Sequence, residues 1–124
     1  MISDFKAQTQ NLGVLRGRIS SVFFGGGTPS AIGAKFYEPL FSEISPFLAR
    51  DCEITAEANP NSATLSWLKT MRNFGVNRIS FGAQSFFDDK LELLGRAHNC
   101  TQIYKAVQNA KNAGFRNINI DLIY

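Results

Sequence analysis

Apolar and polar residues follow two periods that alternate along the chain. Short alternating runs, or runs rich in β-branched and aromatic residues, predict strands at 20–24, 53–58, 77–82 and 117–124. Apolar residues at three- and four-residue spacing predict helices at 4–15, 36–48, 65–74 and 88–94, and one after Thr101. Pro46 falls inside the second of these helices and predicts that it is kinked or shortened.

Turn and cap residues separate these elements. Asn59-Pro60-Asn61-Ser62 predicts a turn, with Ser62 as the N-cap of the helix that follows. Thr101 is predicted to cap the last helix, and Gly75 and Gly114 are predicted to end the helices before them. The predicted order is therefore a helix and then a strand, repeated along the whole chain.

Strands that are separated by helix-length connections predict a parallel sheet. About four strands are too few for a closed eight-stranded barrel, which needs roughly 200 residues or more. The predicted fold class is therefore α/β, a partial (β/α) barrel of about four parallel strands. The last strand is followed by no helix, and an uncovered edge is unfavourable for an independent domain. We therefore expect the chain to be part of a longer protein, with open sheet edges available for self-association.

Composition narrows the class of protein further. Apolar residues make up 44% and charged residues 19%, which is typical of a globular domain. The net charge of +3 comes from scattered residues, so no nucleic-acid partner is predicted. No apolar stretch approaches the ~20 residues of a bilayer span. The first residues resemble no secretion signal, so we expect a cytoplasmic protein.

Polar residues follow the predicted strands where parallel α/β folds carry their ligand sites. The run 25–29, GGGTP, follows the first strand, and Glu57, Gln84 and Asp121 lie at the ends of the others. Glycines let backbone N–H groups approach a ligand closely. Carboxylates accept hydrogen bonds from ribose hydroxyls or an ammonium group. Two acids would repel a simple phosphate, so the pattern favours a zwitterionic nucleoside.

Each of these residues also has a purely structural interpretation. The glycines 25–27 can form a tight turn, Glu57 can cap the turn after it, and Asp121 can form a cap or a salt bridge. Gln84 can bond a loop backbone, and Arg96 can be a solvated cation at a helix end. The glycine run is not a phosphate-binding P-loop, because no Gly-Lys-Ser/Thr follows it. Their coincidence at one sheet edge favours a binding site.

The remaining candidates are weaker. His98 and Cys100 lack the further ligands that a metal site needs, and His98 as an axial haem ligand is a second alternative. The two cysteines make no disulfide framework, and Cys52 is predicted to be a small buried residue. The helical stripes predict three large aromatic core residues: Phe36, Phe41 and Trp67.

The blocks at the strand ends together resemble one family, the radical S-adenosylmethionine proteins related to oxygen-independent coproporphyrinogen III oxidase. The matching blocks are SVFFGGGTPS at 21–30, EITAEANP at 53–60, GVNRISFGAQSF at 75–86 and INIDLIY at 118–124. They occur in order and cover most of the chain. Within the group, EANP at 57–60, QSF at 84–86 and LGRAH at 94–98 resemble the haem chaperone branch more than the oxidase branch.

The resemblance implies a partial (β/α) barrel that binds S-adenosylmethionine at its strand ends. The positions that match the family's S-adenosylmethionine contacts are Gly26, Gly27, Thr28, Glu57, Gln84, Arg96 and Asp121. Some of these serve a second S-adenosylmethionine in the oxidase. The implied function is in porphyrin or haem biosynthesis or haem delivery, by a radical oxidoreductase or by a haem-binding chaperone without oxidase activity. A general nucleotide- or phosphate-binding module is a further alternative.

The chain departs from the family at the cluster motif. The family carries Cys-x3-Cys-x2-Cys after its first barrel strand, and these thiolates hold a [4Fe–4S] cluster. This sequence has only Cys52 and Cys100, and neither lies in such a motif. The resemblance therefore implies that residues 1–124 form part of the core domain, without the cluster loop, and contain no catalytic residue or metal ligand. We expect this polypeptide alone to be inactive.

Overall fold

The computed structural model describes residues 2–11 and 19–124 of the chain. Four strands form one parallel sheet in the order β1-β2-β3-β4. The strands are β1 (Ile19–Phe24), β2 (Leu48–Ala58), β3 (Arg78–Gln84) and β4 (Asn117–Leu122). The helices are α1 (Ile2–Asn11), α2 (Glu38–Ile44), α3 (Leu65–Asn73), α4 (Asp88–Leu93) and α5 (Cys100–Asn112). The predicted parallel α/β fold is confirmed.

The predicted helix at 36–48 is divided in the structure. It consists of a 3-10 turn (Ala34–Tyr37), then α2, and then a second 3-10 turn (Ser45–Phe47) that contains Pro46. The proline ends the regular helix because it has no backbone N–H to donate to the preceding turn and its ring clashes with that turn. Strand β2 therefore begins at Leu48, where it pairs with Ile19, rather than at 53. The predicted residues 12–15 of the first helix lie outside the described residues.

The N-cap predicted for α3 is wrong by two positions. Thr64, not Ser62, accepts a hydrogen bond from the Trp67 backbone N–H at 3.2 Å. Ser62 instead lies in the turn before the helix, where its backbone N–H donates to the Asn59 carbonyl. The end of the helix is as predicted, because Gly75 has a φ of +108°, a left-handed conformation that glycine adopts without strain.

The N-cap of α5 is Asn99 rather than the predicted Thr101. The Gln102 N–H donates to Asn99 Oδ1 at 3.0 Å, and the Asn99 N–H donates to Gln102 Oε1 at 2.8 Å. This reciprocal pair is a capping box, which satisfies two backbone donors at once. The predicted stop at Gly114, with a φ of +92°, is confirmed.

The two candidate caps of α5 can be told apart by mutation. We expect Asn99→Ala to lower the free energy of unfolding by about 1 kcal/mol, because it removes the cap acceptor. Thr101→Ala, inside the first turn, should change it by less than about 0.5 kcal/mol. Chemical denaturation of both variants measures the difference, and a larger loss in Thr101→Ala would contradict the capping assignment.

One face of the sheet is apolar and the other is polar. Ile54, Ala56, Ile79 and Phe81 are buried in the main core, together with residues of α2, α3 and α5. Alternate residues of the same strands are polar and belong to the opposite face, because successive side chains in a strand point to opposite sides. The polar side chains on this face continue to the carboxyl edge of the sheet.

The core predictions hold for all but one of the residues concerned. Phe41, Trp67 and Cys52 are buried as predicted. Phe36 is wrong, since 81% of it is exposed. It lies in a 3-10 turn, whose threefold period takes it out of the apolar stripe that α2 buries.

Candidate functional site

A cleft of about 280 Å³ opens at the carboxyl edge of the sheet, where the loops after the strands meet. All the predicted site residues except Gly26 line it: Gly27, Thr28, Glu57, Gln84, Arg96 and Asp121. The parallel strands bring them together because every strand ends at this edge. The structure thus places these residues in one cleft, and their role in binding stays a prediction.

The glycine loop lies against the end of β2. A Cβ atom at Gly25 would come within 2.8 Å of Glu57 Oε2 and 2.5 Å of Phe23 Cε1, so only glycine leaves room for this carboxylate. Gly26 has a φ of +83°, which also favours glycine. A Cβ there would meet nothing within 4 Å. Gly25 therefore allows the Glu57 carboxylate to lie close to the backbone, and Gly26 allows the left-handed turn.

Hydrogen bonds tie the glycine loop to the turn after β2. The Asn59 N–H donates to the buried Ser30 Oγ at 2.9 Å, and Ser30 Oγ shares a hydrogen bond with Ser62 Oγ at 2.6 Å. The Asn61 N–H donates to Asn59 Oδ1 at 2.9 Å, so Asn59 itself caps this turn. The alternative in which Glu57 caps the turn is therefore not needed, and Glu57 lines the cleft.

The Asp121 carboxylate is oriented by two neighbours that the sequence did not indicate. Ser80 Oγ lies 2.9 Å from Asp121 Oδ2, and Asn119 Nδ2 donates to Asp121 Oδ1 at 2.7 Å. Asn119 Nδ2 also donates to Ser80 Oγ at 2.9 Å. The parallel register pairs Ser80 with Asn119 across β3 and β4. The i, i+2 spacing puts Asn119 and Asp121 on one face of the strand, and it could have indicated their contact from the sequence.

Arg96 is placed by the end of α4. Gly95, with a φ of +62°, turns the chain, and the Arg96 N–H then donates to the Leu91 carbonyl at 2.9 Å. Arg96 Nη2 donates to the Gly82 carbonyl at 3.1 Å, while its Nε is buried and has no partner among the described residues. Arg96 is therefore not a solvated helix-end cation. A buried donor without a partner is costly, and the guanidinium of Arg96 lines the cleft.

Gln84 has an unusual backbone at the end of β3. Its φ is +71°, the left-handed region, and within the described residues no other non-glycine residue has a positive φ. Such a conformation costs about 1–3 kcal/mol and persists only where neighbours hold it. A Cβ at Gly82 would lie 3.2 Å from Gln84 Nε2 and 3.6 Å from Arg96 Nη2. The amide and the guanidinium thus share the space above Gly82.

The weaker candidates do not form a metal or haem site. Within 2–11 and 19–124, no group of three or more His, Cys, Asp or Glu residues could hold a metal ion. Burial, and then the charge of Asp51, raises the pKa of the Cys52 thiol, which disfavours the thiolate that binds metal. His98 is 3% exposed and its Nε2 lies 2.9 Å from the Ala83 carbonyl oxygen. His98 is therefore not placed to ligate haem, and the residues of this chain do not fit a [4Fe–4S] cluster.

Across the part of the chain that the structure describes, no helix is both long enough and apolar enough to cross a bilayer.

A parallel sheet with a polar cleft at its carboxyl edge has the architecture of the parallel α/β folds, whose ligand sites form at the strand ends. The family model described as "Radical SAM superfamily" matches residues 2–124. The chain therefore belongs to the radical SAM superfamily, and the resemblance seen in the sequence is confirmed.

The relatives refine this assignment. The heme chaperone HemW of Lactococcus lactis is 40% identical over 86% of this chain and 29% of its own length. HemW of Haemophilus influenzae is 38% identical over 100% of this chain and 33% of its own length. A mitochondrial radical S-adenosyl methionine domain-containing protein 1 of Bos taurus is 38% identical over 86% of the chain and 24% of its own length. The chain thus spans about a third or less of these relatives.

A solved structure supports the partial barrel. Coproporphyrinogen III oxidase (HemN) from Escherichia coli, a radical SAM enzyme, matches with a TM-score of 0.74 and 32% identity. The match covers 85% of this chain and 25% of the oxidase. The predicted partial (β/α) barrel of the oxidase-related family is confirmed, with relatives in both the chaperone and the oxidase branch.

Proposed function

We propose that this chain is the S-adenosylmethionine-binding part of a haem chaperone of the radical SAM superfamily. The observation that carries the proposal is the cleft itself, in which a glycine loop, two carboxylates, an amide and a half-buried guanidinium converge. The relatives with the haem chaperone name support the haem part of the proposal.

The charges of the cleft suit a zwitterionic sulfonium nucleoside. The guanidinium of Arg96, which lines the cleft, is a donor for the amino-acid carboxylate of such a ligand. Glu57 and Asp121 supply acceptors for hydroxyl groups and for the cationic side, and Asp121 is already oriented by Ser80 and Asn119. Bound S-adenosylmethionine supplies radical chemistry in this superfamily, and the residues of this chain bind and orient it.

Calorimetry tests the binding site directly. We expect the chain to bind S-adenosylmethionine more tightly than ATP, because two carboxylates repel phosphates. Asp121→Asn should weaken binding about tenfold, since it removes a charged acceptor. Asp89→Asn, which changes the same charge on the surface of α4 away from the cleft, is the matched control. Tighter binding of ATP would favour a general nucleotide-binding module instead.

The oxidase is the second candidate, and the structural match to coproporphyrinogen III oxidase favours it. The two functions differ in what the full-length protein does with haem and with porphyrinogen. A chaperone binds haemin, transfers it to an acceptor and does not turn over coproporphyrinogen III. Oxidative decarboxylation of coproporphyrinogen III by the full-length protein would overturn the chaperone proposal.

Reconstitution with iron and sulfide tests whether this chain can hold a [4Fe–4S] cluster. We expect the chain to retain no stoichiometric iron after desalting and to show no turnover, because its two cysteines lie in separate elements and Cys52 is buried. Iron content and visible absorbance measure this, with the full-length protein as the positive control. Stoichiometric iron in the chain, lost in Cys100→Ala, would contradict the expectation.

A further inference from the structure

The last residues of β3 leave the regular hydrogen-bond ladder of the sheet. Pairing of β3 with β2 extends to Phe81, and pairing with β4 slips in register between Phe81 and Gln84. Backbone carbonyls in this stretch therefore need other donors, because a buried carbonyl without a partner is costly. This stretch is also the one that carries Gln84 into the cleft.

Three consecutive carbonyls in this stretch find their donors on other elements. Arg96 Nη2 donates to the Gly82 carbonyl at 3.1 Å, and the Ile123 N–H donates to the Gln84 carbonyl at 2.9 Å. Between them, His98 Nε2 lies 2.9 Å from the Ala83 carbonyl oxygen. The loop after α4 and the end of β4 thus hold the backbone on both sides of the left-handed residue Gln84.

The bond of His98 is enclosed by protein. His98 is 3% exposed and Ala83 is fully buried, so water does not replace either partner. A carbonyl oxygen only accepts, so Nε2 of the ring must carry a proton. His98 Nδ1 is buried and has no partner among the described residues. The ring therefore makes the bond to Ala83 while its other nitrogen is left without a hydrogen bond. A side chain kept only to fill space would not need that arrangement.

We propose that His98 is a positioning residue for the cleft: its Nε2–H holds the Ala83 carbonyl and so fixes the left-handed turn that presents Gln84 to the ligand. His98 itself does not line the cleft. His98 thus affects binding only by holding Gln84 in place. This inference rests on the proposed function only for the identity of the ligand.

The first experiment is a double-mutant cycle measured with S-adenosylmethionine. His98→Leu removes the donor, and we expect the dissociation constant to rise about tenfold. His98→Gln places an amide N–H at a similar distance along the side chain and should restore binding to within about threefold of the unmodified chain. In a Gln84→Ala background, His98→Leu should have no further effect, because the two residues act as one unit.

A matched control separates positioning from general loss of stability. Asn99→Ala weakens the start of α5, one residue from His98, but touches neither the Ala83 carbonyl nor the cleft. It should lower the melting temperature and leave the dissociation constant unchanged. Equal dissociation constants for His98→Leu and the unmodified chain, or an equal loss with and without Gln84, would overturn the proposal.

NMR tests the same proposal without any ligand. We expect ¹⁵N shifts of the ring to place the His98 proton on Nε2, and a strong intraresidue HN–Hα cross-peak at Gln84 that reports its positive φ. In His98→Gln that cross-peak should persist. A ring without a proton on Nε2, or a left-handed Gln84 that is unchanged in a folded His98→Leu, would refute the proposal. Failure of the unmodified chain to bind S-adenosylmethionine refutes the proposed function and leaves this readout standing.

Discussion

The Gly25→Ala variant is expected to bind S-adenosylmethionine much more weakly while it remains folded. The backbone of Gly25 does not need glycine, because its φ lies outside the left-handed region. The added Cβ would instead lie 2.8 Å from Glu57 Oε2 and 2.5 Å from Phe23 Cε1, both well inside van der Waals contact. Both atoms end flexible side chains, so the Glu57 carboxylate and the exposed Phe23 ring move and the fold stays.

The expected loss follows from the displaced carboxylate. A charge-assisted hydrogen bond contributes about 1.5–3 kcal/mol, so binding should weaken by about 10- to 100-fold in calorimetry. The melting temperature measures the fold independently. Gly33→Ala is the matched control, because its Cβ would lie 3.4 Å from the exposed Phe36 ring and far from the cleft. Unchanged binding in a folded Gly25→Ala would show that Glu57 does not contact the ligand.

The order and type of the elements could be predicted because their signals are local. The strand around Ile54 and Ala56 and the stripe through Leu68 and Met71 both follow from spacing within a few residues. The start of β2 could not, because its first residue, Leu48, pairs with Ile19, and that pairing depends on the register between two distant segments. The predicted N-cap of α5 was wrong by two positions because Asn99 and Thr101 are both good cap residues.

The site was predictable to the extent that it follows from strand direction. Parallel strands bring Glu57, Gln84 and Asp121 to one edge whatever their exact register. The contacts that orient them were not predictable, because Ser80 and Asp121 are 41 positions apart and meet only through the register of β3 on β4. Arg96 was indicated by the family resemblance alone, since a loop cation carries no periodicity.

Leu68→Ala is expected to cost a large part of the stability of the chain. Leu68 lies in the middle of α3, is fully buried, and packs in the main core between the helices and the apolar face of the sheet. Truncating a buried leucine costs about 2–5 kcal/mol, from lost transfer free energy and from the cavity left behind. A domain of ordinary stability has only about 5–15 kcal/mol to lose.

Leu93→Ala is the matched control for this loss. Leu93 is also helical, in α4, but 87% of it is exposed, so its truncation should change the free energy of unfolding by less than about 0.5 kcal/mol. Urea denaturation followed by circular dichroism measures both variants. Because the sheet and α3 share this core, Leu68→Ala should also weaken S-adenosylmethionine binding once the unfolded population becomes significant. Equal unfolding free energies for the two leucine variants would contradict the packing of α3 on the sheet.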